Sequence, residues 1–250
     1  MSSPQELIVY PDPGTLAAAI AARTITVICD AQINGGIAHV CLTGGRGGTS
    51  AMAAIPASPA VQAVDWGRVE FWWSDERFLN RGDTERNDTG AFDVLLDHVA
   101  VVPSRVHPMP YLDGPLGDDV DAAAAAYAAE LAECAGGGPG STPIFDITML
   151  GIGEDSHCAS LFPGRNEQFE SATVVSVRNS PKPPPTRTTF TMNTILASKQ
   201  IWLIASGAGK ADAIKLALGG RPPIDSPAGA ARGQDRTLVL CDTDAAALVT

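Results

Sequence analysis

Short apolar runs alternate with longer amphipathic or alanine-rich segments along this chain. Each apolar run has the length of a strand, which predicts strands over Ala38–Leu42, Val69–Trp73, Phe145–Leu150, Thr173–Val177, Gln200–Ala205 and Thr237–Cys241. The segments between them predict helices over Thr15–Ile33, Thr49–Ile55, Glu85–Leu96, Asp118–Cys134 and Ala208–Leu218, with a short helix near Ala228. This alternation is typical of an α/β protein, and we predict a three-layer α/β/α sandwich with a mostly parallel, Rossmann-like sheet.

Length and composition indicate one soluble domain. The chain has 250 residues, 45% of them apolar, which is enough to bury a full core, and we interpret residues 1–250 as a single domain. The stretch 135–143 is rich in Gly, Pro and Ser but leads into another strand of the same alternation, so we interpret it as an exposed connection. No signal peptide, long apolar span or paired-cysteine pattern is evident, and we expect a cytoplasmic protein.

The charge balance restricts the class of ligand. A formal net charge of −11 argues against nucleic-acid and membrane surfaces, which both require a concentrated basic face. A small anion is compatible with this charge if some of the 17 Lys and Arg residues cluster locally. We therefore expect a small-molecule ligand, with the chain acting as a monomer or a weak homo-oligomer.

The segment from Met149 to Gly164 carries the clearest chemical signal. An apolar strand ends in glycines, and Asp155 and His157 follow where open α/β sheets place their ligands. A lone histidine is often a buried structural residue, but its place after a glycine turn and beside a carboxylate favours a catalytic role. We interpret the other three histidines, His39, His98 and His107, as structural.

A glycine-rich turn follows the first of the predicted strands. Gly44, Gly45 and Arg46 lie between this strand and a predicted helix, so backbone N–H groups there can meet a phosphate. The spacing matches neither the Walker loop nor the dinucleotide-binding pattern, and a simple connection is an equally good interpretation of this turn alone.

Charged residues also follow three other predicted strands. Asp75 and Arg77 come after the second strand, although, for this motif alone, a solvated surface pair worth about 0–1 kcal/mol is the more favoured explanation. Lys182 and Arg187 lie in a proline-rich loop that holds cations in position, and Lys210 begins a helix where a bound anion would offset the unfavourable helix dipole. Because parallel strands end at one edge of the sheet, these groups are expected to converge.

Several of these motifs together resemble the 6-phosphogluconolactonases, a family of sugar-phosphate lactone hydrolases related to glucosamine-6-phosphate deaminase. The resemblance rests on Leu42–Gly45, Trp73–Arg77, Arg86–Asn87, Leu150–Gly164, Pro181–Arg187 and Gly209–Ala211. It implies that His157 is the catalytic base and Asp155 its partner. It also implies that Gly44, Gly45, Arg77, Arg187 and Lys210 hold the sugar phosphate. We add Arg46, Asp75 and Lys182 as candidate binding residues.

The resemblance implies hydrolysis of 6-phospho-D-glucono-1,5-lactone with no cofactor and no metal. Neutral His157 would activate water, and Arg77 or Lys182 would stabilise the oxyanion. Two departures stand out: Ser156 replaces a usual glycine, and Arg46 follows Gly-Gly where the family commonly has a hydroxyl residue and proline. The alternatives are an aminosugar-phosphate deaminase or isomerase, a non-catalytic sugar-phosphate sensor and, with least support, a dinucleotide-dependent oxidoreductase.

Overall fold

The computed structural model describes residues 4–249. The strands are β1 (Gln5–Tyr10), β2 (Ala38–Leu42), β3 (Val69–Trp73), β4 (Asp75–Arg77), β5 (Ile147–Gly151), β6 (Val174–Val177), β7 (Arg187–Phe190), β8 (Gln200–Ala205) and β9 (Arg236–Asp242). The α-helices are α1 (Pro13–Gln32), α2 (Gly45–Ala54), α3 (Asn87–Val94), α4 (Val120–Cys134), α5 (Met192–Leu196), α6 (Ala211–Leu218) and α7 (Pro227–Ala230). Short 3₁₀ turns lie at Ile33–Gly35, Pro59–Ala63, Trp66–Arg68, Leu96–His98, Pro103–Arg105, Glu167–Phe169 and Ala208–Lys210.

The main sheet is parallel and buried on both faces. Within residues 4–249 it has six strands in the order β1-β9-β8-β5-β2-β3, and each neighbouring pair is parallel. One face packs against α1, α2 and α3, and the opposite face packs against a second apolar cluster that includes residues of α4, α5 and α6. The predicted α/β sandwich with a mostly parallel sheet is therefore confirmed.

The predicted strand Thr173–Val177 was assigned to the wrong sheet. The structure places it, as β6, in a second sheet of order β4-β7-β6 whose pairs are antiparallel. The sixth parallel strand is instead β1, which sequence patterning missed because it is a partly exposed edge strand that begins with Gln5 and Glu6. The strands β4 and β7 were also missed, because they have only three and four residues and β4 begins with Asp and Glu, which are depleted in strands.

Helix α1 is long and apolar enough to pass the length and composition test for a membrane span. In this structure its buried residues face the sheet, as expected for a core helix of an α/β layer. They are Leu16, Ala17, Ile20, Ala21, Thr24, Ile25 and Ile28.

The glycine-rich segment after β2 is helical rather than an open turn. Helix α2 begins at Gly45, four residues before the predicted start at Thr49, so Arg46 lies in its first turn. Gly44 is its N-cap residue and Gly45 has a φ of 75°, a backbone conformation that favours glycine. The free N–H groups of the first turn of α2 therefore lie at the carboxyl end of β2.

Candidate active site

The turn after β5 is held closed by its own backbone. Gly153 N–H donates to the carbonyl of His157 at 2.8 Å, and Ser156 N–H donates to the carbonyl of Gly153 at 2.9 Å. A Cβ atom at residue 153 would overlap Nδ1 and Cε1 of the His157 ring, so glycine is required there. The imidazole thus lies over Gly153, two residues beyond the end of β5.

Asp155 and His157 form a hydrogen-bonded pair. Oδ1 of Asp155 contacts Nδ1 of His157, and the His157 ring also packs against the ring of Phe162, with centroids 4.6 Å apart. Partial burial opposes ionisation of Asp155, but the hydrogen bond and the charge of His157 lower its pKa to about 2. An ionised Asp155 selects the tautomer with a proton on Nδ1. Nε2, which has no hydrogen-bond partner within residues 4–249, is then the basic atom.

Ser156 has a φ of 67°, so the residue that replaces the family's glycine does occupy the left-handed region. It is fully buried, and its Oγ lies 2.7 Å from Oγ of Ser226. Asp155 and His157 therefore flank a serine in a conformation that L-residues rarely adopt.

A cavity of about 210 Å³ brings together most of the residues singled out in the sequence. His157 shares this cavity with Gly44, Gly45, Asp75, Arg77, Lys182, Arg187 and Lys210. Asp155 does not line this cavity, but it forms a hydrogen bond with His157, which does. Arg46 is exposed and lines an adjoining cavity of about 450 Å³, which shares Gly44, Gly45 and Lys210 with the first.

The side of the cavity where the chain leaving β2 meets the start of α3 is closely packed. A Cβ atom at Gly44 would overlap Oδ1 of Asn87, whose Nδ2 donates to the carbonyl of Asp75 at 2.9 Å. The same Oδ1 accepts from Nη1 of Arg77 at 2.9 Å, and that Nη1 also donates to the carbonyl of Glu85. The guanidinium of Arg77 is therefore held in a fixed orientation at the cavity.

Most donors of the Arg187 guanidinium are not free to bind a phosphate. The group is buried, and these donors form hydrogen bonds with backbone carbonyls of its own loop. Nε donates to the carbonyl of Pro184 at 3.1 Å, and Nη2 donates to the carbonyls of Lys182 and Pro183 at 3.1 and 3.0 Å. Burial lowers the pKa of Arg187, against the raising effect of the Asp75 carboxylate. Arg187 thus holds the proline-rich segment in place beside the cavity.

Lys210 lies close enough to two other cations, Lys182 and Arg46, to be affected by their charges. Burial lowers its pKa, and Lys182 and Arg46 lower it further by repulsion, against the opposing charges of Glu154 and Asp155. Lys210 lines both cavities, with Lys182 beside it in the first and Arg46 in the second, and this local positive charge would stabilise a dianion.

The structure adds four residues to the site that the sequence motifs do not single out. Ser160 donates from Oγ to Oδ2 of Asp75 at 2.6 Å, and Thr43, Asn87 and Glu154 line the cavity. All four lie within motifs quoted above, but a side chain's direction cannot be deduced from a motif. Behind the cavity, the fully buried Arg86 forms a bidentate pair with Asp88 at 2.9 Å.

Metal ligation has no candidate in the described part of the chain. Residues 4–249 contain no group of three or more His, Cys, Asp or Glu side chains arranged to hold a metal ion. The chemical groups at the cavity include an imidazole paired with a carboxylate, the carboxylates of Asp75 and Glu154, and lysine and arginine side chains.

Comparison with known families gives the decisive match. A family described as glucosamine-6-phosphate isomerases/6-phosphogluconolactonase matches residues 11–240. The chain belongs to this family. One relative of this family member, a 6-phosphogluconolactonase of Streptomyces coelicolor, is 50% identical over 248 residues, covering 98% of this chain and 95% of the relative. A 6-phosphogluconolactonase of Mycobacterium tuberculosis is 43% identical over 248 residues, covering 99% and 98%.

Solved structures show the same fold for both branches of the glucosamine-6-phosphate isomerase/6-phosphogluconolactonase family. A 6-phosphogluconolactonase from Trypanosoma brucei superposes with a TM-score of 0.83 at 24% identity and covers 100% of both chains. A monomeric glucosamine-6-phosphate deaminase superposes with a TM-score of 0.79 at 25% identity, covering 98% of this chain and 100% of the other. The fold alone therefore does not separate lactonase from deaminase.

Proposed function

We propose that this chain hydrolyses 6-phospho-D-glucono-1,5-lactone to 6-phosphogluconate, the lactonase step of the oxidative pentose phosphate pathway. The observation that carries the proposal is the Asp155–His157 pair at a cavity whose walls bear Lys182 and Lys210. Identity of 50% to a relative named 6-phosphogluconolactonase, across nearly the whole of both chains, supports the same substrate.

In the proposed reaction, His157 acts as a general base. With Nδ1 bonded to the ionised Asp155, Nε2 removes a proton from water as the water attacks C1 of the lactone. The imidazolium then returns the proton to the departing ring oxygen. Asp155 stabilises the transient positive charge, and no covalent nucleophile is required because a δ-lactone is an activated ester.

The developing oxyanion is assigned to Arg77 rather than Lys182. Both line the cavity, but Arg77 is already oriented by Asn87 and Glu85, so its remaining donors are fixed before the reaction. Prearranged donors stabilise a transition state without a reorganisation cost. Lys182, Lys210 and the free N–H groups of α2 are assigned to the phosphate, where positive charge is concentrated.

The test is acid release from freshly generated 6-phosphogluconolactone, followed in a weakly buffered pH-indicator assay. We expect enzyme-dependent hydrolysis well above the spontaneous rate, and a much lower kcat/KM for unphosphorylated gluconolactone because that substrate lacks the dianion. Equal rates with and without the protein would refute the proposal.

A deaminase or isomerase activity is the alternative on the same fold. It is disfavoured because Ala159–Pro163, which follows the catalytic pair, carries no carboxylate to assist ring opening. Release of ammonium from glucosamine-6-phosphate, measured with the same preparation, would favour that alternative. Tight binding of 6-phosphogluconate without turnover of either substrate would indicate a sugar-phosphate sensor.

A further inference from the structure

The turn at residues 153–157, which carries Asp155 and His157, is called the catalytic turn below. A buried contact between Ser156 and Ser226 connects this turn to a distant part of the chain. The two Oγ atoms are 2.7 Å apart, and both residues are 0% exposed. Backbone N–H of Ala228 also donates to the carbonyl of Ser156 at 3.0 Å. Residues 226–228 therefore contact Ser156 through both its side chain and its backbone.

Ser226 is itself fixed. Its Oγ accepts from the N–H of Gly229 at 3.0 Å and caps the short helix α7. Because that bond uses a lone pair of Oγ, the hydroxyl proton of Ser226 is available for Ser156. Most residues of α7 are buried, so the hydroxyl is presented from a packed element rather than from a mobile loop.

Ser156 needs such support. Its φ of 67° lies in the left-handed region, which is unfavourable for any residue with a Cβ atom and is adopted readily by glycine. The residues on either side of it are Asp155 and His157, whose mutual hydrogen bond depends on the conformation between them. A change at residue 156 would therefore move the carboxylate relative to the imidazole.

We propose that Ser226 is a positioning residue for the catalytic pair. Its hydroxyl holds the non-glycine residue 156 in the left-handed conformation and so keeps Asp155 and His157 paired. The proposal rests on the proposed lactonase function for its kinetic consequence, but its structural claim can be measured without turnover.

The chain offers a matched control. Oγ1 of Thr148 and Oγ of Ser198 form a second hydroxyl pair, also 2.7 Å apart and between residues that are 0% exposed. Thr148 lies in the first half of β5, whereas the catalytic turn follows the end of that strand. S198A removes a serine hydroxyl of equal burial without touching the turn.

The kinetic experiment compares S226A, S198A, S156A and S156G on the phosphorylated lactone. We expect S226A to lower kcat about tenfold with KM within twofold, since misplacement by as much as 1 Å can cost about 100-fold. We expect kcat to fall at least as far in S156A. In S156G, kcat should stay close to the wild-type value, because glycine adopts the left-handed conformation without support. The S156G/S226A double variant should lose no more than S156G, whereas S198A should keep its kcat.

The second readout is the ¹⁵N and ring-proton NMR spectrum of histidine-labelled protein, with His157 assigned from H157N. We expect S226A to shift the His157 signals and S198A to leave them unchanged. Equal kcat and equal His157 signals in S226A and S198A would overturn the proposal, as would additive losses in S156G/S226A. If wild-type protein shows no lactonase activity, the proposed function fails and the NMR comparison alone decides the positioning role.

Discussion

Oγ of Ser160 lies 2.6 Å from Oδ2 of Asp75, and this bond joins the loop that follows β5 to the first residue of β4. Nη1 of Arg187 also donates to the same Oγ, at 3.3 Å. A single buried hydroxyl therefore mediates between a carboxylate and a guanidinium that are 4.0 Å apart. Ser160 is thereby placed as a structural link between two charged residues of the cavity.

Replacing Ser160 with alanine should destabilise the protein rather than abolish turnover. Asp75 and Arg187 would each lose a hydrogen-bond partner while remaining buried, and an unsatisfied buried group costs about 1–3 kcal/mol. We expect S160A to lower the free energy of unfolding by about that amount in urea titrations, with kcat reduced less than tenfold.

Ser176 provides the control for this change. Its Oγ donates to Asp121 at an exposed position, and S176A should leave the free energy of unfolding within about 0.5 kcal/mol of wild type. Complete loss of turnover in a fully stable S160A would contradict the structural role and point to a serine nucleophile.

Replacing His157 with asparagine should remove the general base and little else. General acid–base catalysis contributes about 10²- to 10⁴-fold, so we expect kcat to fall by that factor. The affinity for 6-phosphogluconate, measured by calorimetry, should stay within about threefold because the phosphate contacts assigned to Lys182 and Lys210 remain. H98N is the control, since His98 is exposed and, within residues 4–249, its ring hydrogen-bonds only the carbonyl of Asp93. Near-normal kcat in H157N would exclude His157 as the base.

Replacing Arg187 with lysine should weaken recognition of the phosphate indirectly. An ammonium group cannot bridge the carbonyls of Lys182, Pro183 and Pro184 as the planar guanidinium does, so the loop that carries Lys182 would loosen. We expect KM for the phosphorylated lactone to rise about tenfold or more. The kcat/KM for unphosphorylated gluconolactone should stay within about twofold.

Arg178 is the matched control for R187K, because it lies in the same segment but forms an exposed pair with Asp121. R178K should leave both substrates unaffected, since exposed ion pairs contribute little. Equal losses with the phosphorylated and unphosphorylated lactones in R187K would show that Arg187 does not act through the phosphate.

The main sheet and the turn after β5 were predictable because their signals are local. Phe145–Leu150 is a mostly apolar run followed by Gly151 and Gly153, and both its strand character and the turn after it follow from that pattern. The strands β4 and β7 carry no such signal. Arg77 and Arg187 are directly paired in the second sheet, and that register depends on contacts between segments over 100 residues apart.

The hydrogen bonds between side chains of the site could not be predicted from the sequence, for a related reason. A motif places Arg187 near the phosphate-binding edge, but only the folded loop shows its donors directed to backbone carbonyls. Likewise, Ser156 alone left open whether its φ is positive, and the contact with Ser226 that accompanies the positive φ lies 70 residues away. Tertiary partners of this kind decide the function of a side chain and leave no periodic pattern.

His107 was expected to be structural, and the structure shows it between two carboxylates. Nδ1 contacts Glu130 at 2.6 Å and Nε2 contacts Glu70 at 2.8 Å, while the ring stacks on Trp72 with centroids 3.8 Å apart. Burial lowers the pKa of His107, but the hydrogen bonds and charges of Glu130 and Glu70 outweigh it and raise the pKa above 6.5. The protonated ring is therefore favoured in the folded state.

Because the folded-state pKa of His107 is raised, its contribution to stability is fully present below the unfolded-state pKa of about 6.5 and is lost as pH rises through the folded-state value. We expect the difference in free energy of unfolding between wild type and H107N, from urea titrations, to shrink steadily from pH 6 to pH 9. The exposed His98 serves as the control. The free energy of unfolding of H98N should differ little from that of the wild type at every pH in this range. An H107N difference that stays constant or grows over this range would mean that the neutral ring makes the stabilising contacts.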